Sequence, residues 1–246
     1  MIAASAGNHA AALAYCCALE ELDCLVVMWQ GASESKRAAA LGYGAAIDQE
    51  ASGPSEVFAR LARLQEETGR VLVHPFDDPL VVAGQGTVGL ELAEDLPDAE
   101  VVVVPVGGGG LVSGIAAALP DRRVVGVEPE GSAALHLALA AGEPIRLTPD
   151  SVADGLNAPF AGDLPLQLCR ELGVETVLVS EEEIRAGFRF LYERAKLAAE
   201  PGGAAGVAAL LAGKVPGVES SSVAVVVSGG NVDPEIASGI LKRNPL

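Results

Sequence analysis

Hydrophobic and polar positions along this chain follow two rhythms. Short apolar runs predict buried strands: "CLVVMW" (residues 24–29), "VLV" (71–73), "EVVVVPV" (100–106), "RRVVGVE" (122–128), "TVLVS" (176–180) and "SSVAVVV" (221–227). Helical patterns stand between them at 8–21, 33–45 (ending at Gly42 or Gly44), 53–69, 86–97, 111–119 and 181–199, with a short closing helix after "SGGN". In the third of these, Val57, Leu61 and Leu64 share one stripe and Gly69 is the stop. Strands alternating with helices predict an α/β fold of parallel sheets flanked by helices. The turn-rich "HPFDDP" (His74 to Pro79) sets an expected boundary between a small lobe, residues 1–76, and a larger one, 77–246.

Composition narrows the classes. Acidic residues number 33 against 16 Lys and Arg, a net charge of −17, which argues against nucleic acid or an anionic membrane as partner. Cys16, Cys17, Cys24 and Cys169 have no zinc-site spacing, so four reduced thiols and a cytoplasmic location are expected. Ala10 to Leu19 is apolar, but the first basic residue is Lys36, so it lacks the charged start of a signal peptide. Val101 to Pro120 is uncharged, yet Pro105 and the Gly107–Gly110 run break it as a spanning helix.

Three stretches carry candidate chemistry. In "VVVVPVGGGGLVSG" a buried strand runs into four glycines and a helix. Glycines permit close backbone approach, and amides at a helix start suit a phosphate. Glu128, at the end of the next strand, stands where a dinucleotide fold places its ribose-binding acid. The G-x-G-x-x-G pattern nevertheless fails in every register, and no G-K-[ST] follows. "VVVSGGN" repeats the logic, with Ser228 at the strand's carboxyl end, where it is either a site residue or a helix cap. "SAGNHA" opens a helix: Ser5 and Asn8 either cap it or, with the neighbouring amides, hold a carboxylate. His9, His74 and His136 have no metal-ligand spacing, and His74, ahead of a proline, reads as structural.

Together the stretches "AASAGNHA", "HPFDDPLVVAGQGTVGLE", "VVVVPVGGGGLVSGIA", "VVGVEPEG", "VADGL", "ERAKLAAEPGGAA" and "VVVSGGNVD" resemble, in order, the pyridoxal-phosphate enzymes of the threonine/serine dehydratase (ammonia-lyase) family. That family has the two-lobed fold type II, like the tryptophan synthase β chain, and the likeness extends to serine racemase. The resemblance implies that Gly107, Gly108, Gly109, Gly110 and Leu111 hold the cofactor phosphate, and that Asn8 touches the ring hydroxyl. It further implies that Ser228 bonds the pyridine nitrogen and that Gly155 and Glu200 lie near the ring. Ser5, Ala6, Gly7 and His9 would form the loop for the substrate carboxylate. The implied reaction is deamination of L-threonine or L-serine to a 2-oxo acid and ammonia, by a homo-oligomer in the complete enzyme.

The departures are specific. The family's Schiff-base lysine lies in an "S-F-K"-like segment upstream of the asparagine loop, and none of Lys36, Lys196, Lys214 or Lys242 has that context. The chain is therefore expected to be truncated at its N-terminus, with no catalytic residue of its own and no activity as it stands. Ala11-Ala12 replaces the usual Gln-Gly. Glu128 and Ser132 match two metal ligands, but Ala134 stands where the third, an acid, is usual, so a divalent cation is in doubt. Ala6 occupies the position of the racemases' second base, which favours the dehydratase over a racemase. A non-catalytic cofactor- or amino-acid-binding protein of the same fold is the other alternative. With only Asn231 to Leu246 after the serine loop, no regulatory domain of the isoleucine-pathway kind is expected.

Overall fold

The computed structural model describes residues 1–32 and 34–242; Ser33, where the second helix was expected to begin, and the tail after Lys242 lie outside the described residues. The chain divides into two compact units, Met1–Pro75 and Phe76–Leu246.

In the first unit, β1 (Ile2–Ala4), β2 (Leu25–Trp29) and β3 (Ala46–Ala51) form a parallel sheet in that order, with Ala3 opposite Val26 and Val26 opposite Ile47. Side chains alternate across it. Ala3, Val26 and Met28 pack with α1 (Asn8–Leu19) and α2 (Glu34–Gly42), while Ile2, Ala4 and Val27 pack with Val57, Leu61 and Leu64 of α3 (Pro54–Thr68). Gly69 ends α3 with φ 65° and its N–H on the Gln65 carbonyl. The strands β1 and β3 are additions to the pattern read above. The β3 sequence "AIDQEA" is too polar to announce itself; Asp48 is tolerated because Arg60 of α3 pairs with it at 2.6 Å. Conversely "VLV" contributes a single bridge, Leu72 to Ile2, rather than a strand.

In the second unit the parallel sheet runs β6 (Glu175–Val179), β5 (Arg123–Pro129), β4 (Val101–Pro105), β7 (Val223–Val225). Val102, Val104 and Ala224 face Val112 and Ile115 of α5 (Gly110–Ala118), with α6 (Ala134–Ala141) and α7 (Asp163–Glu171) in the same layer. Val101, Val103, Val125 and Val127 face Ile184 of α8 (Glu181–Phe190) and Ala205, Ala208 and Ala209 of α9 (Ala205–Leu211). The chain closes with α10 (Pro234–Leu241).

Four differences from the sequence pattern stand out, and the first has a local cause. The helix α4 (Pro79–Asp95) begins seven residues before Gly86, because Asp78 accepts from Leu80 N and Val81 N and Pro79 suits the first turn. It packs closely on α5: a Cβ on Gly89 would lie 2.8 Å from Ala118 Cβ, and one on Gly114 would lie 2.7 Å from Gly86 N. The α8 helix stops at Phe190, passes through a π-type turn over Leu191–Ala195, and ends with Lys196 left-handed at φ 59°. The helices α6, α7 and α9 fill stretches the periodicity leaves as connections. Finally, β7 keeps only three residues of "SSVAVVV".

Candidate functional site

Strand β4 is buried along its length and delivers the chain to Gly107 at its carboxyl end, where Val106 N bonds the Val127 carbonyl at 2.8 Å. Gly109 has φ 95°, a region that glycine enters without strain, and α5 starts at the next residue. A Cβ on any of the four glycines would meet protein. On Gly107 it would lie 3.2 Å from Leu156 Cα, on Gly108 inside the Phe76 ring, on Gly109 2.9 Å from Pro165 Cβ, and on Gly110 3.0 Å from Phe76 Cα. The glycines thus let the loop fit its own surroundings before any ligand arrives. Among the described residues, none of the N–H groups from Gly107 to Val112 meets a protein acceptor, although Gly108, Gly109, Gly110 and Val112 are buried. Buried amides are rarely left so, and a run of them at a helix start is a concave anion site.

The other expected ring residues of this unit adjoin that loop. Leu156, against Gly107, follows Gly155, and the Cβ position of Gly155 lies 2.6 Å from Glu200 Oε1. Glu200 is buried, and its N–H donates to the Gly229 carbonyl at 3.2 Å, next to Ser228. Gly203 is forced by the Ser228 carbonyl, which occupies its Cβ position. Ser228 itself is half-buried, three residues beyond β7. So Gly107–Leu111, Gly155, Glu200 and Ser228 form one connected set.

The "SAGNHA" loop belongs to the first unit. It leaves the end of β1, with Ser5 N on the Val27 carbonyl, and enters α1 at Asn8. Neither Ser5 nor Asn8 caps the helix, contrary to one of the two readings above. The residue before the helix is Gly7, with no side-chain cap. The Ser5 hydroxyl accepts from Gly7 N at 3.1 Å, too early in the chain to reach the first turn, and Asn8 is already helical. Ala6 lies between them. Nε2 of His9 meets the Val73 carbonyl at 3.0 Å, so that nitrogen carries the proton; burial lowers the ring's pKa and favours the neutral form. His74 stacks on Phe58 at 6.3 Å, and His136 Nδ1 meets Thr176 Oγ1 at 2.9 Å.

The Glu128 region does not fit a divalent ion. Its carboxylate oxygens accept from Leu135 N and His136 N at 2.7 and 2.8 Å, at the start of α6, while the Ser132 hydroxyl donates to the Leu156 carbonyl and Ala134 offers no ligand. No cluster of three or more His, Cys, Asp or Glu suited to a metal occurs among the described residues. Burial pushes the Glu128 carboxyl up to about 7, and the two amides pull the other way.

The lysines lie on other elements. Lys214 pairs with Glu183 at 2.6 Å, Lys196 Nζ donates to the Glu193 carbonyl, Lys36 is buried on α2, and Lys242 follows α10. Sequence reasoning misses Phe76, Asp77 and Pro165, which pack on or beside the glycine loop. "HPFDDP" reads only as a joint, and the aromatic in it is the available signal.

The profile of the family described as "Pyridoxal-phosphate dependent enzyme" matches residues 1–229. The chain is 43% identical over 248 positions to the L-threonine ammonia-lyase of Thermotoga maritima, covering 99% of this chain and 61% of that protein. It thus spans about three fifths of that relative's length. Among solved structures, maize serine racemase is similar with TM-score 0.91 at 38% identity, over 97% of this chain and 75% of that one. The processed form of threonine deaminase isoform 2 from Solanum lycopersicum is similar with TM-score 0.89 at 30% identity, over 98% of this chain and 72% of that one.

Proposed function

The chain belongs to the pyridoxal-phosphate-dependent enzymes, and from that premise we propose that it serves in the elimination and deamination of a hydroxy amino acid, L-threonine or L-serine, to a 2-oxo acid and ammonia. The observation that carries this reading is the run of amides from Gly107 to Val112 that meet no acceptor among the described residues. A dianionic phosphate satisfies such donors at the positive end of a helix. The names of the relatives, threonine ammonia-lyase and threonine deaminase, support the substrate class.

Pyridoxal phosphate, when bound, supplies the electron sink for the pair left at the substrate Cα. The family resemblance implies the roles that this chain's residues would take. Amides of Gly107, Gly108, Gly109, Gly110 and Leu111 take the phosphate. The Ser228 hydroxyl would donate to the pyridine nitrogen; a neutral donor there would leave that nitrogen uncharged and the sink moderate, which would suit loss of a β-hydroxyl. Gly155 and Glu200 would bound the ring. Within the first unit, the loop of Ser5, Ala6, Gly7 and His9, with His9 neutral, would suit a carboxylate. A cofactor-anchoring lysine is not among Lys36, Lys196, Lys214 and Lys242, so the 246 residues hold the cofactor without a covalent bond and do not turn over.

Calorimetric titration with pyridoxal phosphate, followed by borohydride treatment and an assay of 2-oxo acid from threonine and serine, tests this. Saturable binding with no trapped adduct and no product is expected. Absence of binding overturns the cofactor reading; product formation overturns the statement about lysine.

A further inference from the structure

We propose that Phe76 is a positioning residue for the glycine loop: its ring is what the bare Cα of Gly108 accommodates, and that contact fixes the outward direction of the loop amides. This rests on the phosphate-binding reading of the loop. A Cβ on Gly108 would fall among Cδ1, Cγ and Cε1 of the Phe76 ring, and one on Gly110 would lie 3.0 Å from both Cα and Cβ of Phe76. One aromatic residue therefore backs two glycines of the four.

The ring is itself held. It meets Phe160 edge-on, with centroids 5.5 Å apart and planes at 70°, and the guanidinium of Arg146 lies 5.1 Å over Phe160. The next residue, Asp77, accepts from Leu164 N at 3.0 Å, and the one after caps α4. Phe76 is thus anchored on both sides before it touches the loop.

The loop's peptide geometry explains why a backing ring matters. The Gly108 carbonyl accepts from Gly162 N at 3.1 Å. A planar trans peptide points its N–H opposite its carbonyl, so this bond aims the Gly109 N–H away from Gly162. Glycines on either side leave the plane free to rotate; the Phe76 ring against Gly108, with Phe76 Cα and Cβ against Gly110, removes that freedom. Donors held in place before a ligand arrives bind it more tightly than donors that must be ordered by it.

The dissociation constant of pyridoxal phosphate, measured on the 246-residue chain alongside the ligand-free unfolding midpoint, tests the inference in four variants. Phe76→Leu should weaken binding about tenfold, and Phe76→Tyr, which keeps the ring, should stay within about twofold of the parent. Gly108→Ala should weaken binding, and Gly108→Ala with Phe76→Ala should bind more tightly than Gly108→Ala alone, because the clash is with the ring. Parental affinity in Phe76→Leu overturns the inference. So does a double variant no tighter than Gly108→Ala, since the ligand and not the ring would then claim the space. Should Phe76→Leu fail to fold, the comparison of Gly108→Ala with the double variant decides. A parent chain that binds no pyridoxal phosphate removes the reading of the loop itself, whereas binding indifferent to position 76 removes only the role of Phe76.

Discussion

The Cβ that Gly155 lacks would stand 2.6 Å from Oε1 of Glu200, a carboxylate only 3% exposed. A glycine in a short 3-10 turn and a buried acid far along the chain are therefore one fitted pair. Gly155→Ala should push the carboxylate from its place and cost about 1–3 kcal/mol, the usual range for overpacking. Shortening the acid in Gly155→Ala with Glu200→Asp should return part of that loss. Urea unfolding of these two variants and of Glu200→Asp alone checks it; a double variant less stable than the sum of its singles would contradict the fit.

Asp78 holds the start of α4 through Leu80 N at 2.8 Å and Val81 N at 3.2 Å. Asp78→Ala should lower stability by about 1 kcal/mol and Asp78→Asn by less, since the amide oxygen still accepts. Denaturant midpoints at constant slope would measure this.

The four thiols should differ sharply toward a thiol reagent. Cys16 is exposed. Cys17 is buried, burial and the adjoining Cys17 push Cys24 up to about 11, and burial with the charge of Glu128 pushes Cys169 up to about 12. Thiolate is the reacting form, so one equivalent should react fast in the native protein and the remaining three only on unfolding. Two or more fast equivalents would contradict the burial.

His9 gives a pH dependence with a definite sign. Its folded pKa lies below the ordinary 6.5, so the unfolded chain takes up the proton first as pH falls. The stability that neutral His9 contributes is complete above 6.5 and is lost as pH drops toward the folded value. An NMR titration should place the His9 ring below the ordinary histidine value, and His9→Gln should flatten the acid limb of stability.

Glu128 has the opposite sign. With its folded pKa at about 7 against 4.5, its contribution is complete below 4.5 and declines as pH rises through 7. Its carboxyl carbon should titrate near that value. Magnesium or calcium should leave the unfolding midpoint unchanged, because helix amides already occupy both oxygens. A midpoint that rises with either ion would overturn this account of the pocket.

The parallel α/β architecture is legible because β4 is a continuous apolar run, β5 has an apolar centre (Val124 to Val127), and α3 has both its stripe and its Gly69 stop. Strand β3 is not legible, since its Asp48 is offset by Arg60, twelve residues away, which the strand's own composition does not announce. Helix α4 reads short because Gly84, Gly86 and Gly89 look like breakers. In the structure Gly86 and Gly89 are the surface on which α5 rests. At the candidate site the residue types and their order are readable, but what backs them is not. Nothing local in "HPFDDP" says that its phenylalanine lies against a loop beyond the whole of α4 and β4.

The acceptor-free amides between Gly107 and Val112 tie this fold to the salts around it. Any species that binds only the folded chain shifts unfolding in proportion to the logarithm of its concentration. Sulfate and phosphate buffers should therefore raise the thermal midpoint where chloride at equal ionic strength does not. On the proposed reading of the loop, a purification carried out in phosphate would deliver a protein already occupied there, with its apparent affinity for larger phosphorylated molecules lowered by competition.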